Sequence, residues 1–192
     1  PPISMTEHLT IIPDWAEYSP HEEERVIRIE PGIAFGTGDH PTTRLAIQAM
    51  SQYLTPESTV FDVGTGSGII ALSAGALGAQ SVTAFDLDET ATTNAQHHVE
   101  MNQLGSVVQV QTNNLLEGIS ATASIIVANI ITPILLRLLE DAYRCLEPKG
   151  VFIMSGIQEG EEQELINAAS AVGFVNLSIT TENNWVCIIC HK

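Results

Sequence analysis

One stretch constrains the fold of this chain more than any other. Val60-Phe61-Asp62-Val63 is a short apolar run carrying one acid, Gly64-Thr65-Gly66-Ser67-Gly68 alternates glycine with small hydroxyl residues, and Ile69-Ile70-Ala71-Leu72 begins an apolar, helix-forming segment. Strand, tight glycine turn and helix together open a nucleotide-binding α/β unit. The glycines let the chain turn sharply and let a ligand lie against bare backbone. The helix that follows turns unpaired N–H groups towards that ligand. A dinucleotide loop would run Gly-x-Gly-x-x-Gly, but Ile69 takes the third glycine position, so the spacing points away from a pyrophosphate. Taken alone, the loop fits an ordinary tight turn equally well, and the rest of the chain has to decide.

The remainder alternates between strand and helix patterns. Strands are predicted at 59–63, 81–86, 107–111, 124–129 and 151–155, with helices over about 41–53, 69–77, 89–102, 134–146 and 161–172. Ser124–Asn129 is nearly all apolar, which implies burial on both faces, as in a parallel sheet. Two last strands, about 175–180 and 185–191, flank Glu182-Asn183-Asn184 and read as an antiparallel hairpin. Upstream, Val26–Glu30 alternates enough for a strand and is stopped by Pro31-Gly32. Residues 1–24, punctuated by Pro1, Pro2, Pro13 and Pro20, read as an arm or linker with one short strand near Leu9–Ile12. The expected organisation is therefore an N-terminal arm over 1–24 and one α/β domain over 25–192.

Composition narrows the function classes. With 23 acidic residues against 7 Lys and Arg, the net charge of −16 repels nucleic acid backbone and anionic membrane but attracts a basic protein. No apolar run approaches the roughly 18 residues of a membrane span, so a soluble, cytoplasmic protein is expected. Three cysteines are an odd count, which favours free thiols in a reducing compartment. Cys187 and Cys190 have a C-x-x-C spacing, but they lie on a predicted strand, where residues three apart face opposite ways. Core packing is the better reading for them. His97 and His98 are adjacent on a helix and share no face, and no other ligands fall at a metal spacing, so no metal is expected.

Candidate site residues gather where strands end. Asp86 closes the second central strand about 20 residues past the glycine loop, where a carboxylate can accept from both hydroxyls of a ribose. Asp88 is placed to cap the next helix. In Thr112-Asn113-Asn114-Leu115 an amide or backbone group could read an adenine edge. Asn129 ends the fourth strand at the carboxyl edge of the sheet, where open α/β sheets bind ligands. Thr42 and Thr43 sit in the first turn of the helix that begins at Pro41, with His40 or Asp39 as its cap.

The glycine loop resembles the S-adenosylmethionine (SAM) loop of class I methyltransferases, D/E-x-G-x-G-x-G. A longer pattern is more specific. Pro31-Gly32-Ile33-Ala34-Phe35-Gly36-Thr37-Gly38-Asp39-His40-Pro41-Thr42-Thr43 resembles the P-G-x-A-F-G-T-G-x-H-x-T-T segment of the ribosomal protein L-eleven methyltransferase family. Phe85-Asp86-Leu87-Asp88, Val127-Ala128-Asn129-Ile130, Pro148-Lys149-Gly150, Ser155-Gly156-Ile157 and Trp185 also match. Asp39 stands where many members carry His or Thr.

The resemblance implies a Rossmann-like class I methyltransferase fold: a mostly parallel seven-stranded sheet, helices on both faces and a C-terminal antiparallel hairpin. It implies SAM as cofactor, with S-adenosylhomocysteine as product. Thr43, Gly64, Gly66, Asp86 and Asn129 correspond to cofactor contacts, and Phe35, Gly36 and Thr37 to a segment over the methionine end. It implies methyl transfer to lysine and N-terminal amines of a basic large-subunit ribosomal protein. Asn129 is the candidate for orienting the amine; His40 could relay a proton, but a capping or structural role is the better reading for it. Direct nucleic acid binding and membrane association are not expected, and the pattern sets no oligomeric state. The family carries a substrate-recognition domain ahead of this core, so the chain is expected to be either the catalytic part of such a protein or a shorter relative. Three alternatives stay in view: a SAM enzyme acting on another protein or a small-molecule amine, an NAD-dependent oxidoreductase, and a non-catalytic SAM-binding module.

Overall fold

A computed structural model describes residues 2–31 and 40–192. The chain begins with β1 (Ile3–Thr6), β2 (Leu9–Pro13) and β3 (Arg25–Ile29), which form a small sheet of their own in the order β1-β2-β3. Then follow α1 (Pro41–Tyr53), β4 (Thr59–Val63), α2 (Ile69–Ala76), β5 (Ser81–Asp86), α3 (Glu89–Met101), β6 (Val108–Thr112), β7 (Ala123–Asn129), α4 (Thr132–Cys145), β8 (Leu146–Gln158), α5 (Glu162–Val172), β9 (Val175–Glu182) and β10 (Trp185–His191). The main sheet has seven strands in the order β6-β5-β4-β7-β8-β10-β9. Its first five strands are parallel, and β10 runs antiparallel to both β8 and β9. This is the expected Rossmann-like architecture with its closing hairpin. The hairpin turns on Asn183 and Asn184, both at positive φ, as a two-residue primed turn requires.

The strand periodicity sorts side chains into two cores, one on each face of the sheet. Ile125 and Val127 of β7 pack with α1, α2 and the small sheet, while Ile126 and Ala128 pack with α4 and α5. The two cysteines of β10 divide in the same way, Cys187 to the first core and Cys190 to the second, so they cannot act as a pair. Burial pushes the Cys187 thiol up to about 12, and that of Cys190 also upward.

Residues 1–24 do more than the arm expected from sequence. β1 was not legible, yet it pairs antiparallel with β2, and β2 pairs parallel with β3. Met5, Leu9 and Ile11 are buried in the same core as α1 and α2. A boundary at residue 24 thus falls inside one small sheet. The loop between β2 and β3 is tied down by Glu24, which accepts hydrogen bonds from the hydroxyls of Thr10 and Tyr18. The outer edge of β3 is met by a helix instead of a strand. Asn102, the C-cap of α3, accepts from the Arg28 N–H at 2.7 Å and donates to the Arg28 carbonyl at 2.8 Å.

A second departure concerns β8, which starts directly after α4 and not at Val151. Ala123 pairs with Leu146 and Ile125 with Val151, so the expected Glu147–Gly150 turn survives as a bulge within a longer strand.

Candidate functional site

The strand order reverses between β4 and β7, and a cavity of about 560 Å³ opens at the carboxyl ends of the parallel strands there. Gly64 and Gly66 form one wall, Asp86 the next, and Asn129 with Ile130 the third. Leu87, Leu115 and Ile134 give it apolar sides. The volume suits a nucleoside-sized ligand.

The glycine loop is held from both ends. The N–H groups of Gly64 and Thr65 both donate to the Phe85 carbonyl at 2.8 Å. The Gly66 N–H donates to Asp86 Oδ2 at 2.9 Å, and the Asp88 N–H donates to Asp86 Oδ1 at 3.0 Å. Each carboxylate oxygen keeps accepting capacity beyond these bonds, and Asp86 lines the cavity. Gly64 is needed twice over. Its φ is +77°, and a Cβ there would stand 2.6 Å from Ile130 Cγ2, across the cavity floor.

Beneath the loop lies Asp62, a residue the sequence reading quoted only as part of the motif. Its Oδ2 accepts from the Thr65 hydroxyl at 2.6 Å and from the Ala71 N–H at 3.1 Å. Burial pushes its carboxyl up to about 7 against those two bonds, and the Asp86 charge adds to the rise. His98 of α3 braces the loop from the side. Its Nδ1–H donates to the Ser67 carbonyl at 2.7 Å while Nε2 accepts from the Glu30 N–H at 3.0 Å, so the two partners fix the tautomer. No local signal marked this role, because the partners lie far away in sequence.

Behind Asn129, outside the cavity lining, stands the start of α1. Pro41 occupies its first turn and His40 caps it, accepting from the Thr42 N–H at 3.2 Å. The His40 ring meets the Trp185 ring edge-on at 5.0 Å. Asn129 Nδ2 approaches Thr43 Oγ1 at 3.4 Å. Gly64, Gly66, Asp86 and Asn129 therefore line one cavity, and Thr43 joins it through Asn129 without lining it. Phe35, Gly36, Thr37 and Asp39 lie outside the described residues. Asp88 caps α3, accepting from the Thr90 N–H. Asn113, Asn114 and Leu115 all line the cavity, and the Asn113 Nδ2 donates to the Leu115 and Glu117 carbonyls. Among the described residues no cluster of His, Cys, Asp and Glu could hold a metal ion, and no helix is long and apolar enough to cross a membrane.

Comparison with known proteins places the chain in a family. The model of the family described as ribosomal protein L11 methyltransferase (PrmA) matches residues 1–192. The chain belongs to this family. A Listeria welshimeri protein named ribosomal protein L11 methyltransferase is 44% identical over 192 residues, covering 100% of this chain and 61% of that protein. The protein of that name from Geobacillus kaustophilus is also 44% identical, with 62% of its length covered. The chain thus spans about three-fifths of the length of the curated relatives it matches. The crystal structure of a ribosomal protein L11 methylase from Lactobacillus delbrueckii subsp. bulgaricus superposes with a TM-score of 0.90 at 33% identity, covering 98% of this chain and 97% of that one. A Thermus thermophilus 16S rRNA N2 G1207 methyltransferase, solved with AdoMet and guanosine, shares the fold at a TM-score of 0.70 and 22% identity, covering 83% of this chain and 45% of that one.

Proposed function

We propose that this chain is the catalytic part of a SAM-dependent protein methyltransferase that modifies lysine and N-terminal amines of a basic large-subunit ribosomal protein in the cytoplasm. The observation that carries the reading is the shared cavity: bare glycine backbone and a diol-ready carboxylate on one side, Asn129 beside Thr43 on the other. Family membership supplies the reaction class.

The residues present fit SAM. Asp86 would accept the ribose hydroxyls, Gly64 and Gly66 would admit the ligand to the backbone, and Leu87, Leu115 and Asn114 would surround the adenine. When bound, SAM supplies an activated methyl group on a sulfonium. The protein has to deliver an amine in line with that methyl and keep water out. An ordinary lysine titrates near pH 10.4, so it must shed its proton on entry, and a partly desolvated site favours the neutral amine. Asn129 would accept a hydrogen bond from the incoming amine and so aim its lone pair, with Thr43 fixing the amide. The net charge of −16 favours approach by a basic substrate and disfavours nucleic acid. Residues 25–192 would hold the catalytic unit, with β1 and β2 packed into its core.

Mass spectrometry of the ribosomal protein after incubation with SAM tests the reading. This chain and a longer form carrying an upstream recognition domain are assayed side by side. Added methyl masses with the longer form support it. Calorimetric SAM binding without methylation by either form would replace it with a SAM enzyme acting on another amine.

A further inference from the structure

We infer that Ser155 and Gly156, neither of which lines the cavity, are the positioning pair that sets Asn129 against α1; the inference rests on the transfer role proposed for Asn129. β8 passes the end of β7 here, with Asn129 paired to Ser155 across the ladder and the Ile130 N–H donating to the Ser155 carbonyl at 3.2 Å. The Ser155 side chain is fully buried and turns the other way. Its hydroxyl donates to the Thr42 carbonyl in the first turn of α1 at 2.7 Å. One residue therefore holds the strand end that carries Asn129 and the helix start that carries Thr43.

Gly156 supplies the space. Its φ is +85°, and a Cβ there would stand 2.7 Å from the Ile130 carbonyl oxygen, 3.1 Å from the Ile130 carbonyl carbon and 3.0 Å from Asn129 Oδ1. Two of those atoms are backbone and cannot swing aside, so a side chain at 156 would push the Asn129 amide off its line to Thr43. The glycine loop and Asp86 hang on β4 and β5, on the far side of β7 from β8. Ser155 thus acts on the amine side of the cavity, while Gly156 also bears on the glycine loop through Ile130, whose Cγ2 faces Gly64. Misplacing a reacting group by about 1 Å costs on the order of a hundredfold in rate, so a small loosening at Ser155 is felt in turnover.

The test compares Ser155→Ala, Ser155→Thr and Gly156→Ala with the parent chain by two-dimensional amide NMR, without cofactor. The expected result is displacement or broadening of the Asn129 side-chain amide and of the Thr42 and Thr43 backbone amides in Ser155→Ala and Gly156→Ala. Gly64–Gly68 and Asp86 stay in place in Ser155→Ala, whereas Gly156→Ala also moves Gly64 through Ile130, and Ser155→Thr, which keeps the hydroxyl, returns towards the parent. An unmoved Asn129 amide overturns the inference, as does a shift spread evenly through both cores. In the longer, methyl-transferring form Ser155→Ala loses about tenfold or more in kcat, while SAM affinity changes less than about twofold. Equal loss of both would assign the pair to general stability. Failure of the parent to transfer methyl would count against the proposed function, and the NMR comparison would still decide the positioning.

Discussion

Asp62 allows a prediction that can be worked through in full. It is 1% exposed, and its Oδ1 has no hydrogen-bond partner among the described residues. Burial raises its carboxyl from 3.8 to about 7. The unfolded chain keeps the lower value, so between the two the folded state holds a proton that the unfolded state has released. Stability from this group is fully present below the unfolded value and is lost as pH rises through about 7. Each unit well inside the window is worth about 1.4 kcal/mol and the last one less, so the parent chain loses about 2 kcal/mol from Asp62 between about pH 5 and pH 7. Asp62→Asn has nearly the same shape, and its amide oxygen can take over the bonds from Thr65 and Ala71, but it does not titrate. The stability difference between variant and parent should therefore move in the variant's favour by about 2 kcal/mol across that range, because all other titrating groups are common to both. Urea unfolding at half-unit steps of pH measures the difference directly. Parallel profiles would refute the reasoning and mean that the carboxyl beneath the loop is solvated or partnered in solution.

Three further outcomes follow from the cavity and its supports. Asp86→Ala should weaken SAM binding by about 1–3 kcal/mol through lost charge-assisted hydrogen bonds; calorimetry that finds unchanged affinity removes the ribose assignment. Gly64→Ala meets both a left-handed backbone and Ile130 Cγ2, and should cost about 1–3 kcal/mol of stability in urea titrations as well as narrowing the cavity. His98→Leu removes hydrogen bonds to two backbone groups, Ser67 and Glu30, and should destabilise the chain by about 1–3 kcal/mol, with His98→Gln, which can both donate and accept, recovering part of it.

Much of the glycine-loop side of the cavity was legible in the sequence because its determinants are local. Strand, glycine turn, helix, strand and acid follow one another, and that order brings Gly66 to Asp86 across a single βαβ unit. The apolar run of β7 announced a buried parallel strand, and its last residue did reach the cavity. The Asn129 side was less legible, because its contacts span the chain: Asn129 meets Thr43 and Ser155 meets Thr42 at separations of 86 and 113 residues. No periodicity records such meetings; the resemblance named Thr43, and only the fold showed the Ser155 contact. β1 escaped notice for a related reason. Four residues after a pair of prolines carry no pattern of their own and become a strand by pairing with β2. The β8 bulge was hidden because Pro148-Lys149-Gly150 reads locally as a full stop.

The edge of β3 carries a consequence for how the molecule opens. Two side chains one turn apart on α3, His98 and Asn102, do the work of a missing strand for the Glu30 and Arg28 amides. Those amides cannot exchange with solvent by simple fraying of the N-terminal sheet, since their acceptors belong to a helix of the main domain. Their hydrogen-exchange protection should follow the opening of α3, so the small sheet and the nucleotide half form one cooperative unit. The His98 imidazole also holds the Ser67 carbonyl, so any torque on β1–β3 is geared to the glycine loop through a single ring.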